Sequence, residues 1–382
     1  MTERKPEIEY RQGLAVLRYV RENPPVWMTW DERTQAYVAA GSRLPELRAW
    51  GREHEAHEAG QQAAPLERPL LDPREPRDYQ REALRRWSAA DGRGTVVLPT
   101  GAGKTLVALM AIEQSRAGAC VVAPTRALVA QWFAQLADAF GADAVGTYYA
   151  DEKEVRPLTV TTYHSAFALM ERWGGQFGLL VLDEAHHLAD TAGGQAKAWH
   201  DALTISPALR RLGLTATYPD GRDAELRRLV GPVAFRRTVG EMTDAELARF
   251  AVERRFVALA PDERVRYDRL TETYEGWWKG RDYAGRFADA ATAWRVFVAD
   301  TRHTPAARRA YRAYLERERV VALSAPKLRE AERILRLFPA ETAILFCGRA
   351  DAAERLSRRL AIPLITADTP ASERKATLDA VR

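Results

Sequence analysis

Cysteine is scarce in this chain: among 382 residues only Cys120 and Cys347 carry thiols, and they lie far apart. Disulfide-stapled scaffolds and structural zinc sites both need clustered cysteines, so both are excluded. Each thiol falls in an apolar, strand-like run, which predicts buried free cysteines in a reducing compartment. Long hydrophobic runs are missing too, and none approaches the ~20 residues of a membrane span. The opening Met1-Thr2-Glu3-Arg4-Lys5-Pro6 has no apolar signal-peptide core, so export is not expected. The net charge of +5 permits an acidic partner without demanding one.

What is present centres on Leu98-Pro99-Thr100-Gly101-Ala102-Gly103-Lys104-Thr105. A β-branched run precedes it, and the apolar periodicity of Leu106, Val107, Leu109, Met110 and Ile112 follows. Strand, glycine loop and helix in that order make a phosphate cradle: glycines let the backbone turn tightly, and amides at the new helix's N-terminus face an anion. Lys104 is placed to reach the outer phosphates of a nucleotide and Thr105 to ligate Mg²⁺. The strict pattern asks for glycine at position 98, where this chain has leucine.

Ahead of the loop, residues 7–40 alternate in strand fashion and a helix is expected from Leu44 to about Glu58, making a small mixed domain over residues 1–60. Residues 61–76 read as a linker, rich in proline and charge without periodicity. From residue 77 to 240 short apolar strands alternate with amphipathic helices. Strands are expected at 95–98, 119–123, 158–161, 179–182 and 212–215. This predicts an α/β fold with a parallel sheet covered on both faces, its ligand at the strands' carboxyl ends. After the strand at 179–182 comes Asp183-Glu184-Ala185-His186. A carboxylate at a buried strand's tip can hold Mg²⁺, and its neighbour can activate a water, which assigns Asp183 and Glu184 to those roles. His186 and His187 lack a nearby third ligand, so no zinc site is expected.

Residues 241–325 are helical by pattern, with Trp277-Trp278-Lys279 and a run of arginines. Residues 302–336 hold ten Lys/Arg against four Glu. Cations interleaved with aromatics suit a single-strand groove; the alternative is a packed hairpin with a solvated arginine face. Residues 326–382 open a second α/β pattern, with strands at 343–347 and 364–366, a helix at 350–360 and another from Ala371 capped by Thr369.

The glycine loop, Asp183-Glu184-Ala185-His186 and Thr215-Ala216-Thr217 resemble motifs I, II and III of superfamily 2 helicases. Arg77-Asp78-Tyr79-Gln80 resembles that superfamily's adenine-contacting segment. The runs Arg77-Asp78-Tyr79-Gln80-Arg81-Glu82-Ala83-Leu84, Asp183-Glu184-Ala185-His186-His187-Leu188 and Leu229-Val230-Gly231 are similar to the XPB family of repair helicases in its short archaeal or bacterial form. The resemblance implies two RecA-like lobes, the second incomplete here, an N-terminal damage-recognition-like domain, and a thumb-like helical insert. It implies ATP and Mg²⁺ as cofactors, with Arg77, Gln80, Thr100, Gly101, Ala102, Gly103, Lys104 and Thr105 around the nucleotide and Thr215 and Thr217 as coupling residues.

The same resemblance implies DNA contacts at Pro124-Thr125-Arg126 and Thr162-Tyr163, and favours the functional reading of Trp277, Trp278 and Lys279. The implied activity is ATP-dependent 3′–5′ DNA translocation or unwinding in nucleotide excision repair, in the cytoplasm of a prokaryote or the nucleus of a eukaryote. A structure-specific nuclease is the partner that archaeal relatives would bring. Two alternatives stand: a duplex translocase without strand separation, and a docking module with little ATPase. The family's Arg-Glu-Asp element is absent, since residues 218–223 read Tyr-Pro-Asp-Gly-Arg-Asp. The later motifs that supply an arginine finger are not found before Arg382, so slow hydrolysis is expected of this polypeptide, as the N-terminal portion of a longer motor.

Overall fold

The computed structural model describes residues 4–20, 23–189, 194–242, 251–287 and 290–380. It divides into two compact units, Met1–Phe250 and Ala251–Arg382.

The first unit carries two sheets. The smaller has strand order β3-β4-β2-β1-β5, built from β1 (Glu7–Arg11), β2 (Leu14–Arg18), β3 (Thr29–Asp31), β4 (Ala36–Ala40) and β5 (His57–Gly60). Helix α1 (Leu44–Glu53) covers it, burying Leu44 and Leu47 against Ile8 and Leu17. The expected helix to residue 58 stops short. Glu55 takes a left-handed turn at φ 50°, and the chain re-enters the sheet as β5, parallel to β1. His-Glu-Ala-Gly has no strand-forming side chains, so only the edge of β1 recruits it.

The larger sheet has eight strands in the order β13-β6-β12-β11-β7-β10-β8-β9. They are β6 (Arg93–Val97), β7 (Ala119–Ala123), β8 (Val145–Tyr149), β9 (Glu152–Lys153), β10 (Leu158–Thr162), β11 (Leu179–Asp183), β12 (Arg210–Thr215) and β13 (Val233–Arg236). All neighbours run parallel except β9, which returns antiparallel to β8. Helices α2 (Asp78–Ala89), α3 (Lys104–Ser115), α4 (Arg126–Phe140), α5 (Tyr163–Trp173), α6 (Gly194–Ile205) and α7 (Ala224–Leu229) cover its faces. Two apolar cores result: Leu109, Ile112 and Phe140 lie in one, Leu169, Phe177 and Leu203 in the other. The five expected strands are all present, and β9, β13 and β8 are additions. In β8, Gly146 breaks the apolar run, and a Cβ there would stand 2.4 Å from the Glu154 carbonyl. That glycine marks close backbone approach rather than a turn.

Residues 61–76 form a strap laced onto the lobe. The Ala64 amide donates to the Gln176 carbonyl, the amide of buried Leu66 donates to the Arg116 carbonyl, and the Leu70 amide donates to Glu113 at 2.9 Å. Arg68 grips Asp143 with both arms. None of these partners is near in sequence, so composition alone reads the segment as free.

The second unit is helical: α8 (Pro261–Gly280), α9 (Tyr283–Arg286), α10 (Ala290–Asp300), α11 (Pro305–Ala322), α12 (Ala325–Leu337), α13 (Ala350–Leu360) and α14 (Ala371–Asp379). Residues 243–250, the start of the expected insert, lie outside the described residues. The strands expected at 343–347 and 364–366 are not formed. Strands exist only as ladders, and these segments find no partner among the described residues. Phe346 is therefore 93% exposed, and Cys347 is half-exposed where burial was expected, whereas Cys120 is fully buried. Helix α14 starts after Pro370, and Thr369 instead accepts from the Thr366 amide at 2.8 Å. Among the described residues no helix is long and apolar enough to cross a membrane.

Candidate nucleotide site

The site forms where β6, β12 and β11, adjacent in the sheet, reach their carboxyl ends. After β6 the loop turns through Gly101 and Gly103, at φ 82° and 73°. At Gly103 no side chain would fit, because a Cβ would stand 2.4 Å from Gln80 Nε2. Among the described residues the amides of Gly101, Gly103, Lys104 and Thr105 make no hydrogen bond, and the last two open α3. Four free donors at a helix N-terminus fit a polyphosphate. Lys104 Nζ rests on the carbonyls of Leu98 and Pro99, at 3.2 and 3.3 Å. Burial pulls its ammonium below the ordinary lysine value, while the Glu184 and Asp183 carboxylates act against that shift. Thr100 is exposed at the loop's crest, and Ala102 is buried beneath it.

Asp183 closes β11, buried, with both oxygens held. Trp132 Nε1 donates to Oδ2 at 2.8 Å and the Glu184 amide to Oδ1 at 3.0 Å. Its lone pairs facing away from these donors suit a hydrated Mg²⁺, with Thr105 as the hydroxyl ligand. Among the described residues no group of three or more His, Cys, Asp or Glu is placed to hold a metal ion. Glu184 sits at φ 48°, a left-handed turn that lifts its carboxylate off the strand line. Its Oε2 lies 3.2 Å from His186 Nδ1, and the same nitrogen lies 3.0 Å from Thr215 Oγ1. Burial and the neighbouring His187 lower the His186 pKa, with Glu184 opposing, which favours the neutral ring. The Thr215 hydroxyl accepts from the Thr217 amide at 3.1 Å, and the Thr215 carbonyl accepts from the Leu98 amide at 3.0 Å. The three motifs are thus bonded into one network.

Several expected residues take other places. Gln80 is buried, with Nε2 donating to the Ala102 and Gly103 carbonyls and Oε1 accepting from the Arg77 amide at 2.8 Å. It fastens the loop from behind, helped by Tyr79, whose hydroxyl donates to Ala102 at 2.8 Å. Tyr163, expected on DNA, is 1% exposed, and its hydroxyl donates to the Asp183 carbonyl at 3.0 Å. It can only position β11. Thr162 is buried and caps α5 through the Ser165 amide, while Thr125 caps α4 through the Leu128 amide. Both hydroxyls are engaged by the chain itself. Pro124 and Arg126 stay near the surface at the carboxyl end of β7, and Arg126 is exposed.

In the second unit Trp277 and Trp278 belong to an aromatic core. Trp278 packs on Tyr283 at 5.0 Å and Phe297 at 5.6 Å between ring centres, and Arg281 covers Trp277. Both rings are partly buried against this core. Lys279 is exposed but paired with Glu275. Exposed cations with no carboxylate partner among the described residues include Arg302, Arg308, Arg309 and Arg312. Trp132 was missed as a site residue, because in sequence it reads only as one position of an apolar helix face.

Fold and motifs together define the class: a P-loop lobe with its acidic motif one strand-pair away from the glycine loop. Residues 74–220 match the family described as type III restriction enzyme, res subunit. Over 358 residues the chain is 32% identical to the DNA 3′-5′ translocase XPB2 of Sulfurisphaera tokodaii, covering 93% of this chain and 79% of that protein. It is 28% identical over 322 residues to the DNA 3′-5′ helicase XPB of Kineococcus radiotolerans, covering 80% of this chain and 48% of that one. The chain belongs to the XPB family. It spans about half the length of the relatives from Kineococcus and Halobacterium salinarum. Among solved structures, the Hef helicase domain of Pyrococcus furiosus aligns at 16% identity and TM-score 0.45, over 80% of this chain and 83% of that one.

Proposed function

We propose that this chain carries the ATP-binding lobe of a 3′–5′ DNA translocase or helicase of the XPB type, working in DNA repair. The observation that carries the reading is the bonded network from the glycine loop through Asp183 and Glu184 to His186, Thr215 and Thr217. In it Lys104 and the loop amides hold the nucleotide's phosphates, Thr105 and Asp183 hold Mg²⁺, and Glu184 activates the attacking water. Bound Mg²⁺ would supply charge neutralisation on the outer phosphates. Cleavage of the terminal phosphate then changes the load on Glu184, and His186 passes that change to Thr215. The test is DNA-stimulated ATP hydrolysis with Lys104→Ala beside the wild type. The variant is expected to lose nucleotide binding and hydrolysis while keeping DNA affinity, and unchanged hydrolysis would refute the assignment.

Trp132→Phe is a finer probe of the same site. It removes one hydrogen bond to the Asp183 carboxyl group, worth about 1.5–3 kcal/mol in the charged case. Turnover is expected to fall about 10- to 100-fold with unaltered circular dichroism; a wild-type rate would show that Trp132 does not orient Asp183.

A duplex translocase without strand separation has one observation in its favour. In the segment where the Arg-Glu-Asp element is missing, both acids have structural employment: Asp220 binds Arg236 with two bonds of 2.9 Å, and Asp223 binds Arg227 and Tyr218. Triplex displacement without opening of a forked duplex is the outcome this reading expects.

A further inference from the structure

At the amino ends of the same strands three guanidinium groups converge. Arg93 is the first residue of β6, Arg211 the second of β12, and Arg228 lies near the end of α7. They line a cleft of about 190 Å³ together with Ser42 of the small N-terminal domain and Thr204 of α6. Arg211 is only 4% exposed and has no carboxylate partner among the described residues. Its arms donate to the carbonyls of Leu229, Leu203 and Ser206 at 2.6, 2.8 and 3.1 Å, and its Nε has no partner.

The electrostatics are unusual. Among the described residues the one carboxylate bonded to any of the three arginines is Glu225, on Arg228. Burial, joined by the charges of Arg93 and Arg228, depresses the Arg211 pKa to about 9. Proteins rarely set two cations beside a buried third with a single carboxylate among them, because an uncompensated buried charge is costly. Carbonyls at the ends of α6 and α7 offset part of that cost for Arg211. They do nothing for the remaining donors: among the described residues Arg93 makes a single bond, to the Leu229 carbonyl at 3.2 Å, and Arg228 Nη1 makes none.

We propose that this cleft binds a phosphate-type oxyanion, held by Arg93 and Arg228 over the floor made by Arg211, with the Ser42 hydroxyl on the facing wall. Guanidinium forks match tetrahedral oxyanions, and the volume holds such an ion with several waters. The position separates it from the nucleotide site by the length of a five-residue strand, roughly 15 Å. Because Ser42 belongs to the small domain and the arginines to the lobe, the bound ion joins the two. Two sources share this chemistry: free inorganic phosphate and the phosphodiester backbone of nucleic acid.

The test is calorimetric titration of inorganic phosphate at constant ionic strength, on the full chain carrying Lys104→Ala so that the glycine loop does not contribute. Binding is expected, weakened at least tenfold by adding Arg93→Gln or Arg228→Gln. Arg228 is surface-exposed, so its variant folds whatever Arg93→Gln does. Absence of binding in the Lys104→Ala protein, or equal binding with Arg228→Gln, overturns the proposal. A DNA oligonucleotide separates the sources. Weaker DNA binding by Arg228→Gln, with a salt slope reduced by about one, assigns the backbone. Unchanged DNA binding alongside lost phosphate binding assigns the free ion.

Discussion

Glu184→Gln is expected to lower ATP turnover by about two to four orders of magnitude, the usual contribution of a positioned general base. Nucleotide affinity should change little. The amide keeps an oxygen near His186 Nδ1, where Oε2 now lies at 3.2 Å, so the left-handed turn at Glu184 and the contact to Thr215 survive. Lys104 and the loop amides, which bind phosphate in the proposed scheme, are untouched. The measurement is steady-state hydrolysis paired with equilibrium binding of a fluorescent ATP analogue. A rate within tenfold of wild type would move the base elsewhere. Parallel losses of rate and affinity would mean that Glu184 binds nucleotide rather than activating water.

The second large effect is expected at the joint between the smaller sheet and the helices of the larger one. Tyr10 is 5% exposed, and its hydroxyl donates to the Met170 carbonyl at 2.6 Å with the Ile205 carbonyl beside it at 3.1 Å. Burial pushes its pKa far up, so it remains a donor at every working pH. Those carbonyls sit near the ends of α5 and at the end of α6, so one side chain ties β1 to two helices of the lobe. Tyr10→Ala removes a buried aromatic ring and leaves both carbonyls dry, an expected loss of about 3–5 kcal/mol. That is a large share of the 5–15 kcal/mol typical of a folded domain. Tyr10→Phe keeps the ring and is expected to lose only about 1–3 kcal/mol. Urea unfolding of both variants distinguishes the parts, and equal midpoints for Tyr10→Ala and wild type would show that the joint does not hold the domain.

The first core of the candidate site was legible because its chemistry is local. Gly101, Gly103, Lys104 and Thr105 act through backbone turns and a helix start that a dozen residues specify. Asp183 and Glu184 were legible as acids at the end of an apolar strand. The residues around them were not. Tyr163 and Thr162 stand where the resemblance to helicase motifs implies DNA contact, yet one hydroxyl reaches back to β11 and the other caps a helix. Trp277 and Trp278 read equally well as stacking platforms or as core, and packing against Tyr283 and Phe297 decided for core. Burial depends on what lies opposite, which spacing along one helix does not contain.

By itself the sequence determined the α/β class, the order of the five central strands' segments, the glycine loop and its acidic partner. These rest on hydrophobic period and on backbone conformations that few residue types allow. Tertiary structure alone decided that β6, β12 and β11 lie side by side, so that Leu98, Thr215 and Asp183 meet at one edge. It also decided that Trp132 holds Asp183 from 51 positions away, that residues 61–76 are laced to the lobe, and that Arg93 and Arg211 face a common cleft. Each of these joins residues far apart in the chain, and only the closure of the fold brings their charges and hydrogen-bonding groups within reach.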